Sequence, residues 1–360
     1  MTLRLIALLG RKDEPTDAVE EYCRYLGTAL HSHGIQLEIR RVPWEIRGWS
    51  DSLVALQLQA ATWRDRWVLV QYTALAWSSR GFPQKFSRIL NILKSAGARI
   101  GIVFHDVEPF SGARLIDSVR RFVQVRTMRH AASLADLAVF TVPPENLSWL
   151  PADAPNVAFV PVGPNLPIPQ TPLAHSRDVV PTVCVFSITG GESGARETQI
   201  ILHAVRHAVQ KLGKLRLLIF GRHAELRETE LREGLRDLPV ALSVEGVVEP
   251  IQIVHNFSVS DILLFVRGPI SSRRSSAIAG IACGLPVIAF RGPETAAPIT
   301  DAGVVLVSPD QPEDLNAALV RVLSDAAYRT DLAARSRAAY QTHFAWPAIA
   351  ARFSALLNTR

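Results

Sequence analysis

Along the first 162 residues, short apolar runs alternate with helical patterns. LRLIALL (3–9), IQLEIRRV (35–42), WVLVQY (67–72), RIGIVF (99–104), LAVFTV (137–142) and VAFVPV (157–162) predict strands. Most are continuously apolar rather than alternating, as strands buried on both faces are. Helical patterns fall between them near 17–32, 51–64, 83–96 and 114–133. Strand and helix in strict alternation predict a parallel sheet with right-handed crossovers. GPNLPIPQTP (163–172) breaks the pattern, has no period and reads as a linker. The alternation then restarts with strands at 183–188, 215–220, 241–245, 262–266, 287–290 and 304–307. Helices are predicted at 195–212, 224–236, 249–258 and 275–283, and three more close the chain near 311–325, 327–342 and 346–358.

The expected fold class is therefore α/β, with two doubly wound, Rossmann-like parallel sheets. The first domain is placed at 1–165, a hinge at 166–180 and the second domain at 181–342, with a last helix at 343–360 returning to the first. In such sheets ligands bind beyond the carboxyl ends of the strands, and two of them put the expected site in the cleft between.

Composition narrows the class. At 360 residues, 48% hydrophobic and 20% charged, the chain has ample core and is not disordered. No apolar run reaches the roughly 18 residues that span a bilayer, and MTLRLIALLG lacks the cleavage pattern of a signal peptide. Cys23, Cys184 and Cys283 lie far apart, which excludes a disulfide framework and a thiolate zinc site and fits a reducing cytoplasm. His203 and His207 share a helix face without the carboxylate of a zinc-hydrolase motif, so no metal site is expected. Against 33 acidic residues stand 39 basic ones, a surplus of +6 that suits an anionic partner.

The second half carries a resemblance. SDILLFV (260–266), then AIAGIACGLPVIAF (277–290) with Ala282, Cys283, Gly284, Pro286 and Val287, is similar to the retaining glycosyltransferases of family 4, which have the GT-B fold. DAGVVLVSPDQPEDLNAAL (301–319), RLLIFGRHAE (216–225), EGVV (245–248) and the closing HFAWPAIAARFSALL (343–357) follow in the family's order. Over 1–162 the likeness is looser and rests on topology and on FHDVEP (104–109). One departure stands out. The family's two glutamates, eight positions apart, fall at Ser271 and Ala279. Either the donor is held differently here, or the chain is a non-catalytic relative.

Several residues support the donor site. After a strand, GPISSRRSSAIAG (268–280) places Ser271, Ser272, Arg273, Arg274, Ser275 and Ser276 at a helix start. Ser275 or Ser276 would cap that helix, its free N–H groups attract an anion, and the two arginines would bind phosphate. The plain reading is a capped helix with solvated arginines. SITGGESGARE (187–197) puts Gly190 and Gly191 at a strand-to-helix turn, where a phosphate-binding turn would lie. The resemblance implies that Arg196 contacts the leaving diphosphate and that Gly246 and Val247 meet the base edge. Arg222 either reaches the diphosphate or is an ordinary surface arginine. On the other domain, the resemblance places His105 at the transferred sugar, as the catalytic candidate, and Gly10 and Asp106 on the acceptor side.

The resemblance implies a metal-independent transferase without a resident cofactor, moving a sugar from a nucleoside diphosphate sugar to a glycan or lipid-linked acceptor with retention. A catalytically silent partner of an active glycosyltransferase is the alternative, and a sugar-phosphate epimerase of the same architecture is a third. Residues 80–88 (Arg80, Lys85 and Arg88 with Phe82 and Phe86) and 114–129 (Arg114, Arg120, Arg121, Arg126 and Arg129) are basic. Such a charge run is ordinarily a solvated face; the resemblance, together with the attraction of anionic lipid for such patches, implies as the other reading a peripheral contact there with the inner face of a membrane. No nucleic-acid motif accompanies the charge, and no such partner is expected.

Overall fold

The computed structural model describes residues 3–14, 16–112, 114–169, 180–311 and 313–359. Contacts divide the chain into two units, between Val162 and Gly163 and again between Ala345 and Trp346, so that the final helix belongs to the first unit. The expected linker spans 166–180, of which 170–179 lie outside the described residues.

In the first unit, β1 (Leu3–Leu9), β2 (Ile35–Arg41), β3 (Trp67–Tyr72), β4 (Arg99–Phe104), β5 (Leu137–Phe140) and β6 (Val157–Phe159) form one parallel sheet in the order β2-β1-β3-β4-β5-β6. Helices α1 (Ala18–Leu30), α2 (Trp44–Ala60), α3 (Phe86–Ser95) and α4 (Leu115–Leu134) cross between strands. All six residues of β3 are buried, the polar Gln71 among them, in keeping with a mostly apolar run enclosed on both faces. Asp17 caps α1, its carboxylate accepting the backbone N–H groups of Val19 and Glu20. α2 begins well before the expected residue 51, because Gly48 (φ 74°, ψ 163°) joins a first turn to the main helix across a kink. Phe86, expected on a surface patch, is fully buried in the first core.

The second unit holds β7 (Thr182–Phe186), α5 (Gly191–Leu212), β8 (Leu215–Phe220), α6 (Glu228–Leu235), β9 (Val240–Glu245), α7 (Pro250–Ser258), β10 (Ile262–Phe265), α8 (Ser275–Ala282), β11 (Val287–Phe290), β12 (Val304–Val307), α9 (Glu313–Ser324) and α10 (Ala326–Ala339). Its parallel strands run β12-β11-β10-β7-β8-β9 around a separate core. One capping expectation is corrected. Arg274 occupies the N-cap of α8, with no side-chain cap bond, and Ser275 and Ser276 are the first residues inside the helix. The last helix, α11 (Trp346–Asn358), packs on α1: Trp346 stacks on Tyr25 at 5.6 Å and meets the edge of Tyr22 at 5.3 Å.

Candidate functional site

Each sheet has one place where the strand order reverses, and there the loops beyond the strands diverge and leave room for a ligand. In the second unit this point lies between β7 and β10. Beyond β7 the chain turns through Ser187 (φ 68°) into Gly190, the N-cap of α5, and Gly191 (φ 66°). Glu197, buried in the second turn of α5, accepts the backbone N–H of Thr189 at 2.8 Å and so pins this loop to its helix. Gly194 permits the close approach, since a Cβ there would lie 1.9 Å from the carbonyl oxygen of Thr189. Arg196 lies exposed one helical turn into α5.

Arg222, just past β8, stands beside a residue that the sequence reading missed. Arg267 lies two residues past β10 and is largely buried. Burial lowers its pKa, the charge of Arg222 lowers it further, and the charge of Glu197 opposes both. Among the described residues its buried Nε has no hydrogen-bond partner. Two guanidiniums beyond the ends of β8 and β10, near enough to act on each other and one of them incompletely hydrogen-bonded, are arranged to receive an anion rather than to stabilise each other. The available signal was positional: an arginine at the end of the strand that flanks the switch point. Gly246 and Val247 lie just past β9, where the carbonyl of Gly246 accepts the N–H of Gly221 at 2.9 Å.

The serine and arginine loop after β10 is organised by a second missed residue, Glu294. Arg273 donates to its carboxylate through Nε (2.7 Å) and a terminal nitrogen (2.8 Å), and Ser271 Oγ donates at 2.9 Å. Burial disfavours the charged carboxyl, but the bonds and charge of Arg273, with Ser271 and the charge of Arg274, outweigh it and leave its pKa below the usual value. Ser271 and Ser272 are buried, and Ala279 is enclosed in α8. A carboxylate therefore does reach Ser271, from 23 residues along the chain.

In the first unit the strand order reverses between β1 and β3. A pocket of about 230 Å³ opens there, lined among others by Gly10, Asp17, Gln71, Thr73 and Asp106. Gly10 is required by proximity, since a Cβ would lie 2.2 Å from the carbonyl oxygen of Ala76. Asp106 accepts the N–H of Ala74 at 2.8 Å. His105 sits one layer behind the pocket wall, its Nε2 2.8 Å from Gln71 Oε1. Gln71 donates its amide to the carbonyl of Leu69, so its oxygen accepts and the imidazole proton is assigned to Nε2. Burial lowers the His105 pKa to about 4, against the pull of Asp17, and the ring is neutral at pH 7.

The pH dependence of stability follows. Between the ordinary value of 6.5 and about 4, the unfolded chain binds this proton and the folded chain does not. Stability therefore falls as pH falls through that window, by about 2 kcal/mol after allowance for partial solvent access, and is flat with respect to this group below it. Urea unfolding at the two ends of the window checks this. His105→Gln is expected to flatten the slope, and an unchanged slope in the variant would place its origin elsewhere.

Residues 185–325 match the family model described as Glycosyl transferases group 1. No curated protein matches the sequence. Among solved structures, HepE of Anabaena in complex with UDP and glucose aligns with a TM-score of 0.64 at 14% identity, over 99% of this chain and 100% of that one. A glycosyltransferase from Rickettsia africae aligns with a TM-score of 0.67 at 13% identity over the whole of both chains. A putative UDP-N-acetylglucosamine 2-epimerase from Listeria monocytogenes aligns with a TM-score of 0.61 at 13% identity, over 100% of this chain and 96% of that one. At such identities the structural likeness fixes the fold alone. The chain takes the GT-B fold, and its residues 185–325 are similar to the group 1 glycosyltransferases.

Proposed function

We propose that the protein transfers a glycosyl group from a nucleoside diphosphate sugar, with UDP as the nucleotide and retention at the anomeric carbon. The second unit holds the donor and the first unit the acceptor, a glycan or a lipid-linked saccharide. One observation carries the reading: the largely buried, incompletely bonded Arg267 feels the charges of Arg222 and of Glu197, the residue that pins the loop opening α5, inside the segment matched by the group 1 model. HepE is similar in fold and was solved with UDP and with UDP-glucose, which supports the choice of nucleotide.

The chemistry follows from charge. Breaking the bond between sugar and diphosphate leaves negative charge on the departing oxygens. Guanidiniums fixed before the reaction stabilise that charge without reorganising. The departing diphosphate can itself take the acceptor proton on the same face of the sugar, so the protein chiefly positions the reactants. Arg222, Arg267 and Arg196 would hold the diphosphate, and Gly246 and Val247 would border the base. Arg273 and Arg274 would act from a loop whose form Glu294 maintains. The pocket with Asp106 and Gly10 would take the acceptor, with neutral His105 buttressing Gln71 in its wall. No metal or resident cofactor is assigned a role.

A second reading has its own observation. Ser271 and Ala279 stand where the related enzymes carry glutamates, and Ala279 is enclosed. On that reading the chain binds nucleotide without turnover, as the partner of an active transferase.

Thermal melts with UDP, GDP, ADP, TDP and CDP test the proposal. UDP at about 100 times its Kd should add about 2.7 kcal/mol of stability, a rise of several degrees for a unit of this size. No shift with any of the five overturns the donor assignment. Binding without donor hydrolysis or transfer selects the silent partner, and inversion at C2 of UDP-N-acetylglucosamine selects the epimerase.

A further inference from the structure

We propose that a second pocket of the first unit binds one sugar ring carrying a carboxylate or a phosphate, which makes the acceptor an acidic saccharide. The inference rests on the reading of the first unit as the acceptor side. The pocket, of about 190 Å³, lies past the end of β2 against α2, between Arg41 and Arg47 on one side and Ser52, Leu56 and Gln59 on the other. It is smaller than the roughly 300–1,000 Å³ of sites for drug-sized ligands, so it suits a single ring. Its two charged residues are both arginines, and no carboxylate lines it. Arg41 donates to the carbonyl of Gly10 at 2.9 Å, to Asp17 at 2.9 Å and to Glu20 at 2.6 Å, all through its terminal nitrogens. Those two carboxylates offset the charge of Arg41. Arg47 is exposed, forms no ion pair among the described residues and supplies the net positive charge.

Ser52 is the second sign of a ligand. It is 1% exposed, and its Oγ has no hydrogen-bond partner among the described residues. A helical serine ordinarily bonds the carbonyl four residues back. Here that residue is Gly48, whose backbone (φ 74°, ψ 163°) leaves the helix at the kink of α2. The kink thus frees a hydroxyl in the pocket wall, where an oxygen of the ligand would satisfy it. Gln59, seven residues on and so on the same face of α2, offers an amide, and Val42 with Leu56 gives an apolar wall for the C–H face of a sugar ring.

Position ties this pocket to the acceptor. Arg41 is in register with Leu9 on the adjacent strand, and Leu9, Gly10 and Asp17 all line the pocket beyond β1 and β3. The two pockets therefore lie about one strand spacing apart, roughly 5 Å, with Arg41 bonded to residues of the one while lining the other. Consecutive rings of one saccharide would occupy both, the reacting hydroxyl in the pocket with Asp106 and the acidic ring beside Arg47.

Titration of the full chain with glucuronate, glucose 6-phosphate and glucose, followed by ligand-observed NMR, tests this. At least one acid should bind about tenfold or more tighter than glucose, and the tighter of the two names the charged group. Arg47→Gln should weaken that binding about tenfold and Ser52→Ala about fivefold. Melting temperature should not fall in either, since Arg47 is exposed and Ser52→Ala removes a buried hydroxyl without a partner. A disaccharide ending in the preferred acid should bind about tenfold tighter than the single ring. Binding of neither acid, acids no better than glucose, or affinity unchanged in both variants overturns the proposal. Equal affinities of the disaccharide and the single ring overturn the acceptor role. Melts with UDP on the same preparation keep the readings apart: a UDP response without acid binding removes this inference alone, and acid binding without a UDP response removes the donor assignment alone.

Discussion

Replacing Arg222 and Arg267 together by alanine is expected to weaken UDP binding about a hundredfold, with little loss of stability in the empty protein. Each guanidinium offers charge-assisted bonds worth about 1.5 kcal/mol or more to a phosphate, so two give about 3 kcal/mol, which is two powers of ten in Kd. In the empty protein these groups repel each other, and Arg267 loses solvation without full hydrogen bonding. Arg267→Met should therefore leave the melting temperature unchanged or raise it while binding falls, as happens where a site carries strain for function. Arg267→Lys keeps the charge but not the planar fork and should recover only part of the affinity. Calorimetric titration with UDP and melts of the empty variants separate the outcomes. A large drop in melting temperature with unchanged UDP affinity would make Arg267 a structural residue and refute its assignment.

The scaffold was legible because strands buried on both faces are written as mostly apolar runs: β10 is unbroken, and β3 and β4 are interrupted only by Gln71 and by Arg99 at the strand start. Local chemistry misled where tertiary contacts decide. Ser275 and Ser276 are good caps in isolation, but the turn after β10 brings Arg274 to the cap and draws the serines into α8. The loops proposed to hold the donor were chosen by their place after strands and by resemblance to known sequences. Arg267 was not singled out, because its neighbours Glu197 and Arg222 belong to other loops and nothing local marks their meeting. Glu294 hides for the same reason. Its partners Ser271 and Arg273 lie across a strand, so only the fold shows that a carboxylate reaches the position where the sequence lacks one. In α4 the arginines were visible and the side they surround was not: which face of a helix is buried depends on what packs there, and Gln124 and Asp117 win that face through bonds to Gly81, Phe110, Arg114 and Arg120.

Gly194→Ala is expected to destabilise the second unit by about 3 kcal/mol or more, while Gly191→Ala costs about 1 kcal/mol, although the two glycines lie three residues apart in one turn. Their physical demands differ. At Gly191 the backbone is left-handed (φ 66°), but a Cβ would meet nothing within 4 Å, so the cost is conformational strain alone. At Gly194 a Cβ would fall 1.9 Å from the carbonyl oxygen of Thr189, an overlap with backbone that no rotamer relieves. Relief needs α5 to move off the loop, which breaks the bond from Thr189 N–H to Glu197. That bond positions Glu197, whose charge acts on Arg267, so the damage extends to the proposed diphosphate site. At about 2–4 °C per kcal/mol for a unit of this size, Gly194→Ala should lower the melting temperature by roughly 10 °C and Gly191→Ala by about 3 °C. UDP affinity should fall about tenfold or more in Gly194→Ala, because the loop and Arg267 lose their fixed geometry together. Melts and titrations of the two variants side by side decide the matter. Equal stabilities would show that α5 can withdraw from Thr189 freely, and would remove this turn from the elements that hold the donor in place.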